Sequence, residues 1–381
     1  MNILQKIKSK FNSAKYLYSG QRINRRIVVI ESDDWGTIRS TSKAIKQLQN
    51  QNIELDDNPF NRIDILENAE DFSALYEVLG KYKDKNNRPP IITANTIVGN
   101  PDFQKIQADD FQKYHFEIFT ETYKNYWSTN NTMEQFSDGI KNQFLQPQFH
   151  GREHVNVAQW LRGLHAGEKN LRRAFEQQIF GIDFHSPFSN RANFMATYDF
   201  DDEKDLINIH QGIKDGLEIF RMIFGMHSLS TVAPAVVWHP KTESVLAKEK
   251  VKFIQGYIVQ NIPTVEKNSY QKLHHFSGER NQLLQKYIVR NCYFEPSFNK
   301  NFDWGNKCLA QIKKAFLFRQ PAVISAHRIN FVGGIEEQNR TDNLKVFEQL
   351  LKTIISKWPD VEFLSSDELG NILEITENHN N

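Results

Sequence analysis

The stretch VVIESDDWGTIR, Val28 to Arg39, runs four strand-forming residues straight into two adjacent aspartates, a tryptophan and a glycine. An apolar run that stops where charges begin reads as a buried strand, RRIVVIESDD, with chemistry at its C-terminal end. Successive residues leaving a strand point in different directions, so one of Asp33 and Asp34 can bind a cation while the other faces a substrate. A nearby cation would also relieve the repulsion of two like charges at a buried strand end. Capping of the following helix, STSKAIKQLQNQ, is the structural alternative, but Ser40 and Thr41 are better placed for it.

Outward from this strand the chain alternates. LENAEDFSALYEVLGKYKDKNNRPP reads as an amphipathic helix closed by prolines, and IITANTIVGNP as a strand ending in turn residues. LQPQFHGREHVNVAQWLRGL is a short strand leading into a loop and helix, GLEIFRMIFGM a helix, STVAPAVVWHP a strand then a turn, and VKFIQGYIV a strand. WGNKCLAQIKKAFLFRQ, PAVISAHR, NLKVFEQLLKTIISKWP and VEFLSSDEL repeat the rhythm as helix, strand, helix, strand. This order predicts parallel strands in an α/β barrel or doubly wound sheet, where chemistry collects at strand C-termini. No repeat or low-complexity linker divides residues 23–375, which form one expected domain with insertions near 104–146 and 179–203 and a polar tail at 376–381.

At 381 residues with a net charge of +1, 39 % hydrophobic residues and 28 phenylalanines, the chain can bury a large core. Its scattered Lys and Arg form no basic stripe with interleaved aromatics, so nucleic acid is not an expected partner. Two cysteines, Cys292 and Cys308, make no zinc-knuckle pattern and read as reduced thiols. Residues 1–22 carry Leu4, Ile7, Phe11 and Ala14 at helical spacing among Lys6, Lys8, Lys10 and Lys15. Such a helix packs on the domain or, through residues 1–18, makes a weak contact with an anionic membrane surface. Without a signal-peptide core or an apolar run of membrane-spanning length, the expected location is cytoplasmic, at most peripheral to the inner face of the membrane.

Three strand ends share one chemistry: Asp33 and Asp34, His150 and His154, and His327 in ISAHRINFVGG. Histidines four apart lie on one helical face or flank one tight turn, and either arrangement lets both imidazoles reach one divalent ion. A carboxylate completes a three-ligand site with an open position, as in catalytic rather than structural zinc. By ligand type His and Asp suit zinc, cobalt, nickel or manganese almost equally, and the open three-ligand arrangement makes zinc the expected ion.

These motifs resemble the metal-dependent polysaccharide deacetylases, the NodB-homology family, over most of the chain and in order. VVIESDDWG resembles the first motif, FHGREH the HxxxH motif, AVISAH the last, and VEFLSSDEL the closing strand. The resemblance implies an incomplete seven-stranded (β/α) barrel. It also implies Asp33 as general base, Asp34, His150 and His154 as metal ligands, and His327 as general acid. The implied reaction removes an acetyl or other acyl group from an N- or O-acetylated sugar or polysaccharide precursor. Two departures matter. Trp35 stands between the aspartates and Gly36, where it could floor the pocket, and STVAPAVVWHP offers Pro234 without the family's base-orienting arginine, for which Arg328 or Arg152 are the expected substitutes. The family's fourth motif, an aspartate near a tryptophan, has no evident counterpart. Trp35 and Trp238 are candidates to stack on sugar rings.

Other readings lead elsewhere. HGREH also fits HxxEH, the inverted zinc-protease signature with Glu153 as base, which needs a regular helix through both histidines. A barrel retained as a catalytically inactive carbohydrate-binding protein would purify without metal. A glycosidic-bond-cleaving barrel needs two opposed carboxylates, which Glu31 beside Asp33 and Asp34 does not provide.

Overall fold

The computed structural model describes Lys15 and residues 19–50, 58–127, 131–180, 194–265 and 269–378. Most of the N-terminal helix expected over 1–22, and parts of the 179–203 insertion and the 376–381 tail, lie outside the described residues.

A nine-stranded sheet organises the fold. Its strands are β1 (Ile27–Trp35), β2 (Ile92–Ile97), β3 (Leu145–Gly151), β4 (Ser230–Val232), β5 (Phe253–Gly256), β6 (Lys286–Val289), β7 (Cys292–Tyr293), β8 (Ala322–His327) and β9 (Glu362–Leu364). They run in the order β6-β5-β4-β3-β2-β1-β8-β7, every pairing parallel, with β9 on β1. Because β8 takes one edge of β1, β9 must share the other edge with β2: β9 pairs with Ile27–Val29 and β2 from Ile30 onward.

The expected seven strands become nine for a physical reason. β6 and β7 lie at opposite ends of the path yet are separated by only Arg290 and Asn291. Arg290 N–H donates to Gly256 O at 2.8 Å, continuing the pairing with β5, and Asn291 N–H donates to Val323 O at 3.0 Å, beginning the pairing with β8. Lys286–Tyr293 is thus one kinked stave joining the two sheet edges. With β9 as a three-residue wedge, seven staves remain and the sheet is curled into a barrel.

Strand alternation sorts the two faces. Val28 and Ile30 pack outward with Phe72 and Leu75 of helix Ala69–Gly80, Ile312 of Trp304–Leu317 and Phe347 of Glu337–Lys357. Helix Ala69–Gly80 starts in a capping box: Asn68 Oδ1 accepts from Asp71 N–H, and the Asp71 carboxylate accepts from Asn68 N–H. On the inner face, Ile27 and Val29 join Phe253, Ile288, Val323 and Leu373 in an apolar plug closed by the C-terminal helix Ser366–Asn378. Two residues further along β1 the inner face turns polar at Glu31, then at Asp33. The apolar floor thereby delivers carboxylates to the C-terminal mouth.

The region expected as an insertion over 104–146 holds helices Phe103–Ala108, Phe119–Tyr126 and Thr132–Lys141 and the second strand of the hairpin Gly99–Pro101/Phe116–Ile118. No helix among the described residues is long and apolar enough to cross a membrane.

Candidate active site

Two irregularities in the barrel create the site. Between β1 and β2 the register passes from Ser32↔Ala94 to Trp35↔Thr96, an extra residue on β1. Asp34 there adopts φ +75°, which asparagine and aspartate tolerate better than other side chains, so alternation is broken and both aspartates face the mouth. Gly36 follows at φ +81°, where a Cβ would lie 2.5 Å from Ile97 O. Between β2 and β3 the register passes from Thr96↔Phe149 to Ile97↔Gly151, and the extra residue is His150. Gly151 and a bend then bring His154 back, so the two histidines flank a turn. The helix that an HxxEH protease requires is not there, and Glu153 is ion-paired with Arg152 at 2.5 Å, outside the cleft lining.

Asp33, Asp34, His150, His154 and His327 all line one cleft of about 240 Å³, with Arg39, Asn58, Phe60 and Tyr257 around them. One donor atom from each of Asp34, His150 and His154 lies within 4.8 Å of the others. His150 Nδ1 is 2.8 Å from Val232 O, and a carbonyl only accepts, so Nδ1 carries a proton and Nε2 faces the cleft. That nitrogen lies 3.3 Å from Asp34 Oδ1, and His154 Nε2 lies 3.0 Å from the same oxygen. Burial pushes His154 down to about 4 despite the neighbouring Asp34, so it is neutral at pH 7. Burial disfavours the charge on Asp34, yet Arg39 and the two histidines outweigh it and hold its carboxyl well below the usual range. Asp34 Oδ1 is buried without a hydrogen bond of good geometry. One carboxylate oxygen and two imidazole nitrogens converging at this spacing fit a divalent cation.

Asp33 is held from behind by a residue the sequence motifs did not reveal. Arg290 donates from Nη1 to Asp33 Oδ2 at 2.6 Å and from Nη2 to Oδ1 at 2.7 Å, and its Nε donates to Glu31 Oε2 at 2.6 Å. Asn95 Nδ2 adds a hydrogen bond to Asp33 Oδ1 at 2.8 Å. Burial would raise the Asp33 carboxyl, but Arg290 outweighs it and keeps the group ionised. Glu31 moves the other way, raised by burial against the pull of Arg290.

His327 ends β8 with its side chain 21 % exposed. Its Nε2 is 3.9 Å from Asp33 Oδ2, and its Nδ1 pairs with Glu295 Oε1 at 2.7 Å. Burial lowers its pKa, but Glu295 more than compensates and raises it to about 9. Asn330 Nδ2 fixes the other Glu295 oxygen at 2.8 Å, and Phe60 meets the imidazole edge-on at 5.2 Å.

Four expected substrate or positioning residues sit elsewhere. Trp35 is buried under the site, stacked on Phe72 at 5.4 Å with its indole N–H donating to Ser32 Oγ. Trp238 is buried with its N–H donating to Glu243 Oε1 at 3.0 Å. Arg328 follows His327, but the chain turns there into a short 3₁₀ segment, and its guanidinium is buried between Asp64 and Glu67. Arg152 pairs with Glu153 and Asp215. None of the four lines the cleft, and Arg290 occupies the place on Asp33 expected of Arg328 or Arg152. The sequence signal for it was YIVR, an apolar strand run ending in a charge, as VVIESDD does.

No family model and no curated protein matches the chain. Among solved structures it is similar to a Mycobacterium smegmatis protein provisionally assigned as a polysaccharide deacetylase, with 9 % identity over 94 % of each chain and a TM-score of 0.46. It is also similar to the peptidoglycan deacetylase of Bacillus subtilis (9 % identity, 94 % of this chain and 96 % of that one, TM-score 0.37). A branching enzyme of Thermococcus kodakaraensis is a third (9 %, 91 % and 70 %, TM-score 0.43). With TM-scores below 0.5, these likenesses assign no activity to this chain.

Proposed function

We propose that this chain is a divalent-metal-dependent hydrolase that removes an acetyl group from an N- or O-acetylated sugar or glycan. The observation that carries the reading is the convergence of Asp34 Oδ1 and the Nε2 atoms of His150 and His154 beside an ionised carboxylate and a protonated histidine in one cleft. Asp34, His150 and His154 would hold a divalent ion, zinc by preference, which would supply Lewis acidity to the reaction.

The remaining work falls to the protein's own groups. Asp33, oriented by Arg290 and Asn95, accepts a hydrogen bond from the attacking water and takes its proton. His327 enters protonated, because Glu295 holds its Nδ1 proton and raises its basicity, and Nε2 gives a proton to the leaving amine or alcohol. The C–N or C–O bond breaks, and acetate leaves with the freed amino sugar or hydroxyl. The environments of the two groups push their pKa values apart, which is how an acid and a base coexist at one pH. Phe60 and Tyr257 give the cleft apolar walls suited to a sugar face.

The test is metal content together with acetate release on N- and O-acetylated sugars, for wild type and for Asp34→Ala and His150→Ala. The reading expects about one divalent ion per wild-type chain, and both variants should lose metal and activity together. A wild type that purifies empty and cannot be loaded would refute it.

A further inference from the structure

The two carboxylate oxygens of Asp34 have different surroundings. Oδ1 faces His154 Nε2 and His150 Nε2. Oδ2 instead accepts a hydrogen bond from Arg39 Nη2 at 3.0 Å. Arg39 lines the cleft but its side chain is only 7 % exposed, and its guanidinium carbon stands 4.3 Å from the Phe60 ring centroid. Its Nε is 3.3 Å from Asp64 Oδ2, an ion pair without hydrogen-bond geometry.

Asp64 is anchored in turn. Its Oδ1 accepts from Arg328 Nη2 at 2.6 Å, and Arg328 Nη1 donates to Glu67 Oε2 at 2.8 Å. Glu67 Oε1 accepts from the Gly36 N–H at 2.8 Å and from the Tyr123 hydroxyl. Asp34, Arg39, Asp64, Arg328 and Glu67 thus alternate in sign and return to the backbone two residues beyond Asp34. All five are buried. A buried ionic chain is a poor way to gain stability, since desolvation offsets the attraction and apolar packing would serve as well. It does fix the orientation of a donor.

We propose that Arg39 is a positioning residue that engages Asp34 Oδ2 so that Asp34 offers the metal a single oxygen. The inference rests on the metal-dependent reading above. A carboxylate with both oxygens free can take a cation through both. With Oδ2 held by Arg39, the protein supplies three donor atoms and leaves coordination positions for water and substrate, as a catalytic rather than a structural site requires. Neither Arg39 nor Asp64 belongs to the ligand set, so both can be altered without removing a donor.

The test is titration of the metal-stripped full-length protein with cobalt(II), reading both affinity and the visible absorption of the bound ion, which strengthens as coordination number falls. Arg39→Met frees Oδ2. The expected result is weaker visible bands, from a higher coordination number, and cobalt affinity lower by about 10- to 100-fold. Asp64→Asn keeps Arg39 and removes its second anchor; it should shift the spectrum in the same direction with a smaller loss of affinity, and it serves if circular dichroism shows Arg39→Met unfolded. Folded variants with the wild-type spectrum and affinity would overturn the proposal. A wild type that takes up no cobalt would overturn the metal reading itself and this inference with it.

Discussion

Replacing Arg290 by methionine tests how the barrel keeps Asp33 ionised. Arg290 is fully buried and touches both oxygens of Asp33 and one of Glu31. The variant leaves two carboxylates on the inner face of β1, two residues apart, with no cation between them. Breaking a buried pair from one side costs about 3–5 kcal/mol. At an unfolding entropy of about 2.1 cal/mol/K per residue, the 381-residue chain should lose about 4–6 °C of Tm. In wild type the carboxyl of Asp33 is depressed by Arg290, so its stabilisation is present above the unfolded pKa and lost as pH falls through the folded one. In the variant both carboxyls rise, and protonation relieves the strain on acidification. Thermal unfolding at pH 8 and pH 5.5 should therefore show the deficit fully at the higher pH and reduced at the lower. Adding Glu31→Gln to Arg290→Met should restore part of the loss by removing one of the two charges. Acetate release should fall by about 100-fold or more because Asp33 loses its orientation, with metal content unchanged. A Tm within about 1 °C of wild type at pH 8 would refute this account of the pair, as would a deficit that widens on acidification.

Three further outcomes follow from the structure. With His327 raised to about 9 by Glu295, activity should hold through neutral pH and fall above about 9, and Glu295→Gln should move that descending limb to lower pH; an unmoved limb would show that Glu295 does not tune the acid. The same shift makes His327 contribute stability below its unfolded pKa of about 6.5, lost as pH rises through about 9, a contribution that Glu295→Gln should abolish in thermal scans. Trp35→Ala removes a buried ring stacked on Phe72 and should cost about 3–5 kcal/mol in chemical denaturation with KM for acetylated sugars unchanged. A raised KM with unchanged stability would instead place Trp35 against the substrate.

The parts of the site that were legible in the sequence are local patterns. An apolar run ending in SDD, two histidines four apart, and a histidine closing AVISA each announce themselves within a dozen residues. Their convergence needed only the rule that parallel strands present their C-termini together. Arg290 and Glu295 were not legible because their partners are far away in sequence: Arg290 meets Asp33 across 257 positions and Glu295 meets His327 across 32. YIVR marks Arg290 only as a charge closing an apolar run, without saying which carboxylate it meets, and nothing local marks Glu295. Arg328 misled in the opposite sense. Adjacency to His327 suggested a shared cleft, but the chain leaves β8 through a 3₁₀ turn that sends the guanidinium behind the site. The bulges that aim Asp34 and His150 are equally invisible, since an extra residue in one strand shows only against its partner's register.

The stave Lys286–Tyr293 has a consequence for the order of assembly. A growing chain has produced all three proposed metal ligands by His154, but the residues that join the two sheet edges, and the guanidinium that settles Asp33, arrive together more than 130 positions later. A polypeptide stopped short of Arg290 could bring Asp34, His150 and His154 together without fixing the carboxylate beside them. The closure of the barrel and the seating of Arg290 on Asp33 depend on the same short stave, so that carboxylate is fixed only in a chain long enough to join the two sheet edges.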